Sequence, residues 1–417
     1  MLSYFLFILL ITLNILIILW GLKDKNRTYS YPFLISLVYC GFIVPQVIGL
    51  LNNDNKPESG LNLFLLISLL SLVMCYVGWK YQPRLNLNIF DWTFSSIRLK
   101  TIATLFTVIG ILFYYLLSTL PSYMIEASNY SGLPVAYLFF ANLLDYGIAI
   151  FLVLFLTNKS LYSLILLIPG VLVHLFRAVS FVRRADTIEI FIIFLTLLWF
   201  IKGKVIPRYV LITVFTFGIF ILYSTGDIRD TRTYVYGSGI QDFLTIDYKG
   251  NIEQVLSEGG VEVTNAVMEI AATELSGNYD FGLFHWNMLV FNYVPAQLLG
   301  VKFKESLYAN INYEEANKFF RYNTPYGSTV TGFVDAFKSF WLFGIIKFFI
   351  ISFILGFIYR KSEEGKVVYQ LIYALLLTAS LHTVTHHTHW FIIPLIHMSI
   401  FLLPALFLSR TSDSRHL

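Results

Sequence analysis

Three features predict an all-α, polytopic membrane protein of about eleven transmembrane helices with one large, mostly helical external segment. Hydrophobic residues make up 57% of the 417-residue chain and charged ones only 13%, too little polar surface for a water-soluble globule. Apolar runs of about 20 residues, the length that crosses a ~30 Å hydrocarbon core, recur from end to end. The connections between them alternate between rich and poor in lysine and arginine, as they do when one face of a membrane collects the cations.

Hydropathy places the spans near 2–22, 32–52, 61–79, 101–120, 137–157, 161–176, 187–201, 209–224, 339–359, 367–381 and 390–409. The first begins at residue 2 without a basic leader or a small-residue cleavage site, so it is expected to be a retained span. Alternation puts the loops bearing Lys23, Lys25 and Arg27, Lys80 to Lys100, Lys159, Lys202 to Arg208 and Arg360 to Lys366 on one side, with Arg410 and Arg415 of the tail. The positive-inside rule makes that side cytoplasmic, with the N-terminus out and the C-terminus in. The chain divides accordingly into an N-terminal bundle of about eight spans (1–224), an external segment (225–338) and about three C-terminal spans (339–417). The external segment holds fourteen acidic and eight basic residues, a net of −6 against +4 for the whole chain, which leaves +10 elsewhere. Six of the seven tryptophans (Trp20, Trp79, Trp199, Trp286, Trp341 and Trp390) fall at or near span ends, as an aromatic belt requires. Cys40 and Cys75 lie inside predicted spans and read as core thiols that say nothing about compartment.

One stretch breaks the charge rule. "RAVSFVRRAD" (177–186) puts Arg177, Arg183 and Arg184 on a short external loop. Either they reach lipid headgroups and pair with Asp186 and Glu189, or they bind an anion: clustered guanidinium groups repel one another unless one is present, and they match phosphate oxygens in bidentate fashion.

Within the external segment, "NIEQVLSEGGVEVTNAVMEIAATELSG" predicts a helix in its second half, with Val263, Val267, Ile270, Ala271 and Glu274 at helical spacing and Gly277 ending it. "FGLFHWNMLVFNYVPAQLLG" (281–300) is apolar but broken at Pro295, which suits an interfacial or re-entrant helix. "YANINYEEANKFFRY" (308–322) predicts a polar helix, and 323–344 a Pro/Gly-rich loop entering the ninth span. Tyr308, Tyr313, Tyr322 and Tyr326 beside amides and hydroxyls could serve a carbohydrate, although a chain with 18% aromatic residues puts tyrosines everywhere.

"HTVTHHTHW" (382–390) carries four histidines at an external span junction. On a continuous helix His382, His386 and His389 share one face, fit for acid/base work, anion donors or, with no cysteine beside them, a metal ion; a polar span end is the plainer reading. Asp335, just before the ninth span, suits a general base and equally a helix-start acid. Asp145 and Lys347 are the ionisable residues deepest in predicted spans and are candidates to pair, with an arginine as the alternative partner of Asp145. No phosphate loop, HExxH, GxSxG or GxGxxG occurs, so nucleotide-driven and protease-like chemistries have no support.

The segments "VRRADTIEIFIIFLTLLW", "YGSTVTGFVDAFKSFWLFGI" and "FNYVPAQLLG" resemble the external arginine junction, the Gly/Ser–acid–aromatic–Phe-Gly re-entry motif and the apolar-Pro element of the O-antigen or oligosaccharide repeat-unit polymerases (Wzy-type). Where this chain has Asp335 the family more often has Glu. The resemblance implies a fold like that of the lipid-sugar glycosyltransferase superfamily and a glycosyltransferase of the bacterial inner membrane. Such an enzyme moves a growing glycan from its undecaprenyl-pyrophosphate carrier onto the next lipid-linked unit, as in O-antigen, enterobacterial common antigen, capsule or exopolysaccharide synthesis. Its expected partners are those lipid-linked glycans, membrane lipid, a chain-length regulator and a flippase; it is expected to need no nucleic acid, cofactor or metal. On this reading Arg177, Arg183 and Arg184 stabilise the departing pyrophosphate, with Arg229, Arg232 and Arg321 as further anion ligands. Asp335, a histidine of the 382–389 group (His382, His386 or His389) or Glu274 takes the acceptor proton, and Tyr326 lies in the sugar-binding stretch. An O-antigen ligase shares this topology and external Arg/His chemistry. A flippase for the same lipids is the alternative of another class, and internal symmetry would be its sign. A sensor or scaffold is a third possibility.

Overall fold

The computed structural model describes residues 1–53, 56–81, 89–121, 124, 132–180, 184–207, 246–311, 315–325 and 328–411 with isolated positions between 210 and 224, and the backbone alone at 177–180 and 184–188. The chain is an all-α membrane protein. Among the described residues eight helical segments are long and apolar enough to cross a membrane. They are α1 (Leu2–Leu22), α2 (Tyr31–Leu51), α3 (Glu58–Lys80), α4 (Ser96–Ser118), α5 (Leu133–Asn158), Gly332–Glu363, Val367–Thr385 and His389–Ser409. Helices α6 (Leu161–Ser180) and α7 (Arg184–Lys202) stand at the sixth and seventh expected positions. The expected span at 209–224 lies mostly outside the described residues.

Small residues set the closest helix contacts, as they must where van der Waals packing replaces the hydrophobic drive. On α4, a side chain at Gly110 would meet the backbone of Leu144 at 2.6 Å; on α5, one at Gly147 would meet Thr107 Oγ1 at 2.3 Å. Asp145, two residues before Gly147, faces His174 of α6 with 3.3 Å between Oδ1 and Nδ1.

Between the early and late helices come α8 (Tyr248–Glu258), α9 (Val261–Ser276), α10 (Leu283–Tyr293), α11 (Ala296–Leu299), α12 (Val301–Ser306) and α13 (Glu315–Phe320). Gly277 ends α9 in the left-handed conformation, as expected. The chain breaks at Pro295 between α10 and α11, also as expected. The polar helix expected over 308–322 is reduced to Glu315–Phe320 among the described residues.

The C-terminal elements are α14 (Gly332–Phe340), a 3₁₀ turn (Trp341–Ile345), α15 (Ile346–Glu363), α16 (Val367–Thr385) and α17 (His389–Ser409). Val263, Val267 and Ile270 of α9 and Phe333 and Phe337 of α14 share one hydrophobic core with Phe64 of α3 and Phe348 of α15. Parts of the segment 225–338 therefore pack into the bundle itself.

Residues in or next to four cation-rich connections are in contact. Lys366 pairs with Asp91 at 2.5 Å, and Arg98 donates to the Arg410 carbonyl at 3.0 Å. The Tyr359 hydroxyl donates to the Asn26 carbonyl. A two-residue antiparallel pair, β1 (Thr93–Phe94) with β2 (Arg410–Thr411), ties the tail to the α3–α4 connection.

Candidate functional site

The site is built on α14. A Cβ at Gly332 would lie 1.8 Å from the Thr383 carbonyl oxygen of α16, and one at Gly344 would lie 1.8 Å from the Ala336 carbonyl oxygen. Only glycine lets α14 press against α16 and lets the following turn fold back on α14. Phe333 anchors the helix, its ring 5.8 Å from that of Tyr39, 5.5 Å from Phe64 and 5.6 Å from Phe348. Lys338 ties α14 to Glu269 of α9 at 2.5 Å.

So held, Asp335 is buried, 3% exposed. Its Oδ2 accepts the Thr388 N–H at 2.6 Å, and the Thr388 hydroxyl lies 3.0 Å from Oδ1 and 3.1 Å from Oδ2. Thr388 is the N-cap of α17, so the carboxylate sits at the positive end of that helix. Lys347, in the first turn of α15, places Nζ 3.6 Å from Oδ1 and donates to the Ser339 hydroxyl at 2.8 Å and the Asp335 carbonyl at 3.2 Å. Asp335 is thus the buried counter-ion of Lys347, a partner other than the Asp145 expected from sequence.

Three imidazoles complete the cluster. His387 Nδ1 is 3.6 Å and His285 Nε2 3.8 Å from Asp335 Oδ2. His285 Nε2 also lies 2.8 Å from Thr388 Oγ1. The hydroxyl has a single proton; with that proton given to the carboxylate, Nε2–H of His285 is the donor to Oγ1. Burial pushes the His285 imidazole below its ordinary range, against the opposite pull of the Asp335 carboxylate. His389 is 8% exposed, and its ring lies 5.4 Å from that of His387. Phe284 of α10 covers both, at 4.8 Å from His387 and 5.4 Å from His389. Nδ1 of His285, His387 and His389 is buried in each case and makes no hydrogen bond within the chain. Among the described residues, Asp335, His387 and His389 are a trio whose ligating atoms all lie within 4.8 Å of one another.

The expectation that His382, His386 and His389 share a helical face is corrected. Helix α16 stops at Thr385, because the backbone leaves helical geometry at His386 (ψ −116°) and Thr388 turns its N–H to Asp335. His382 and His386 instead pack against Trp390, with ring centroids 5.5 and 5.3 Å away. His389 goes to Asp335 with His387.

The remaining candidates are dispersed or lie outside the description. Glu274 is exposed in the last turn of α9, and Arg321 is exposed just beyond α13 with φ +52°. Arg177 and Arg184 have only their backbone described, at the facing ends of α6 and α7. Arg183, Arg229, Arg232 and Tyr326 lie outside the described residues. Sequence reasoning missed His285, Thr388 and the place of Lys347 beside Asp335. A lone histidine in an aromatic helix and a lysine after a Phe-Gly turn carry no spacing signal that would join them.

No family model, curated protein or solved structure matches the chain.

Proposed function

We propose that this protein polymerises lipid-linked oligosaccharide repeat units at the outer face of a bacterial cytoplasmic membrane. The observation that carries the reading is Asp335. The acidic residue of the polymerase-like motif is a buried carboxylate beside imidazoles whose Nδ1 atoms make no hydrogen bond, a group able to take up the proton of a substrate hydroxyl. In the transfer, the acceptor hydroxyl attacks the anomeric carbon of the donor glycan. The anomeric C–O bond breaks, and its electron pair leaves with the polyprenyl pyrophosphate. Negative charge develops on that pyrophosphate, and Arg177, Arg183 and Arg184 are the guanidinium groups assigned to stabilise it. The hydroxyl proton passes to the group formed by Asp335, His387 and His389. Eleven spans, an outward N-terminus and an external 225–338 segment belong to this reading, and follow from the charge pattern.

A ligase that transfers finished glycan to a lipid-A core is the second reading. What favours it is the entry of two histidines, His387 and His389, into the carboxylate cluster.

A deletion strain separates the readings. Loss of long glycan with retention of a single attached repeat means polymerase. Unattached lipid-linked polymer means ligase, and no external glycan at all means flippase. In the complemented strain, Arg184→Ala should insert normally and abolish polymerisation; a near-normal chain-length distribution removes the arginine role.

A further inference from the structure

We propose that Asp335, His387 and His389 form a binding site for a divalent transition-metal ion of the zinc class, coordinated by Asp335 Oδ2 and one nitrogen of each imidazole. The inference comes from how these three groups face one another.

A carboxylate and two imidazoles buried together normally satisfy themselves by hydrogen bonding, because an unpaired buried polar atom is costly. Here they do not. His387 Nδ1 stops 3.6 Å from Oδ2, too far for a hydrogen bond, and Nδ1 of both His387 and His389 lacks a hydrogen-bond partner within the chain. His389 is more than nine-tenths buried and belongs to the cluster whose ligating atoms all lie within 4.8 Å. Bonds of ~2.0–2.1 Å to a shared tetrahedral ion put its ligands about 3.3 Å apart. The 3.6 Å separation already fits that spacing, and an ion draws in the rest.

The surroundings match an outer coordination shell. Thr388 N–H donates to Oδ2 at 2.6 Å, and the single proton of the Thr388 hydroxyl, 3.0 Å from Oδ1 and 3.1 Å from Oδ2, can be given to Oδ1, which leaves Oδ2 a lone pair for an ion. Lys347 holds the opposite oxygen, Oδ1, at 3.6 Å, so the carboxylate is oriented by Thr388 on one side and the lysine on the other. Two nitrogens, one carboxylate oxygen and no thiolate select zinc-like ions over calcium or magnesium. Three protein ligands leave a fourth position open, the arrangement of catalytic zinc sites. An ion held by these three side chains would lower the pKa of a hydroxyl bound in the fourth position. Under the polymerase reading the proton would then pass to a base beside the ligands, for which His285, with Nε2 3.8 Å from Asp335 Oδ2 and Nδ1 without a hydrogen bond, is placed. Only that role rests on the proposed function; ion binding stands without it.

The test uses the full-length protein purified in detergent and stripped with a chelator. Cobalt(II) titration followed by visible absorption, and zinc competition against a chromophoric chelator, should give one ion per chain. His387→Gln and His389→Gln should each weaken zinc at least tenfold. His382→Gln, on the Trp390 side of the junction, should leave affinity unchanged. Failure to bind a stoichiometric ion overturns the proposal, as does binding that survives loss of both His387 and His389. Should one histidine variant not insert, the wild-type stoichiometry and the other variant still decide. A bound ion in a chain whose deletion leaves glycan length intact keeps the site and discards the polymerase reading.

Discussion

Replacing Lys347 with methionine keeps most of the side-chain volume and removes the charge beside Asp335. At an effective dielectric of ~20, unit charges ~4 Å apart attract by about 4 kcal/mol, and the Nζ to Oδ1 separation is 3.6 Å. The substitution also deletes the bonds to the Ser339 hydroxyl and the Asp335 carbonyl. Against this, the carboxylate keeps the Thr388 N–H and hydroxyl, so its charge is not left bare. Breaking a buried ion pair by removing one partner costs about 3–5 kcal/mol, and the surviving Thr388 donors place the expected loss near the lower end, about 3 kcal/mol. The assay is SDS-driven unfolding of the chelator-stripped protein from mixed micelles, for Lys347→Met, Asp335→Asn and the double variant. The two residues should couple by about 2–3 kcal/mol, so that the double variant is far less unstable than the sum of the singles. A coupling below about 0.5 kcal/mol would refute the claim that this pair holds the site together.

Gly332→Ala should cost about 1–3 kcal/mol in the same assay by driving α14 away from the Thr383 carbonyl, and should reduce polymerisation by displacing Asp335. A fully stable, active alanine variant would contradict the packing. Tyr146 OH lies 2.6 Å from His397 Nδ1 in a buried pair, so His397→Phe should cost about 1–3 kcal/mol and adding Tyr146→Phe should recover part of it. An equal loss in single and double variants would remove that hydrogen bond from the account. Glu274→Gln, on an exposed turn, should change stability by less than about 0.5 kcal/mol and leave glycan length unaltered. Shortened glycans would return Glu274 to the candidates for the proton acceptor.

The sequence by itself determined the class of protein and the position of nearly every membrane-length helix. Crossing a bilayer is a requirement on local composition, and about 20 apolar residues announce it wherever they stand. It also marked Asp335, the histidine-rich junction and Lys347 as unusual, since polar groups in such settings are costly. Tertiary structure decided which of them meet. The i, i+4, i+7 grouping of His382, His386 and His389 assumed an unbroken helix, yet α16 ends at Thr385, where the Thr388 N–H binds a carboxylate 53 residues earlier in the chain. His285 and Lys347 reach Asp335 only because Gly332 and Gly344 admit two backbone oxygens at distances a Cβ forbids. Periodicity reports neighbours along one helix, whereas a site joining α10, α14, α15 and the α16–α17 junction exists only after those helices have packed.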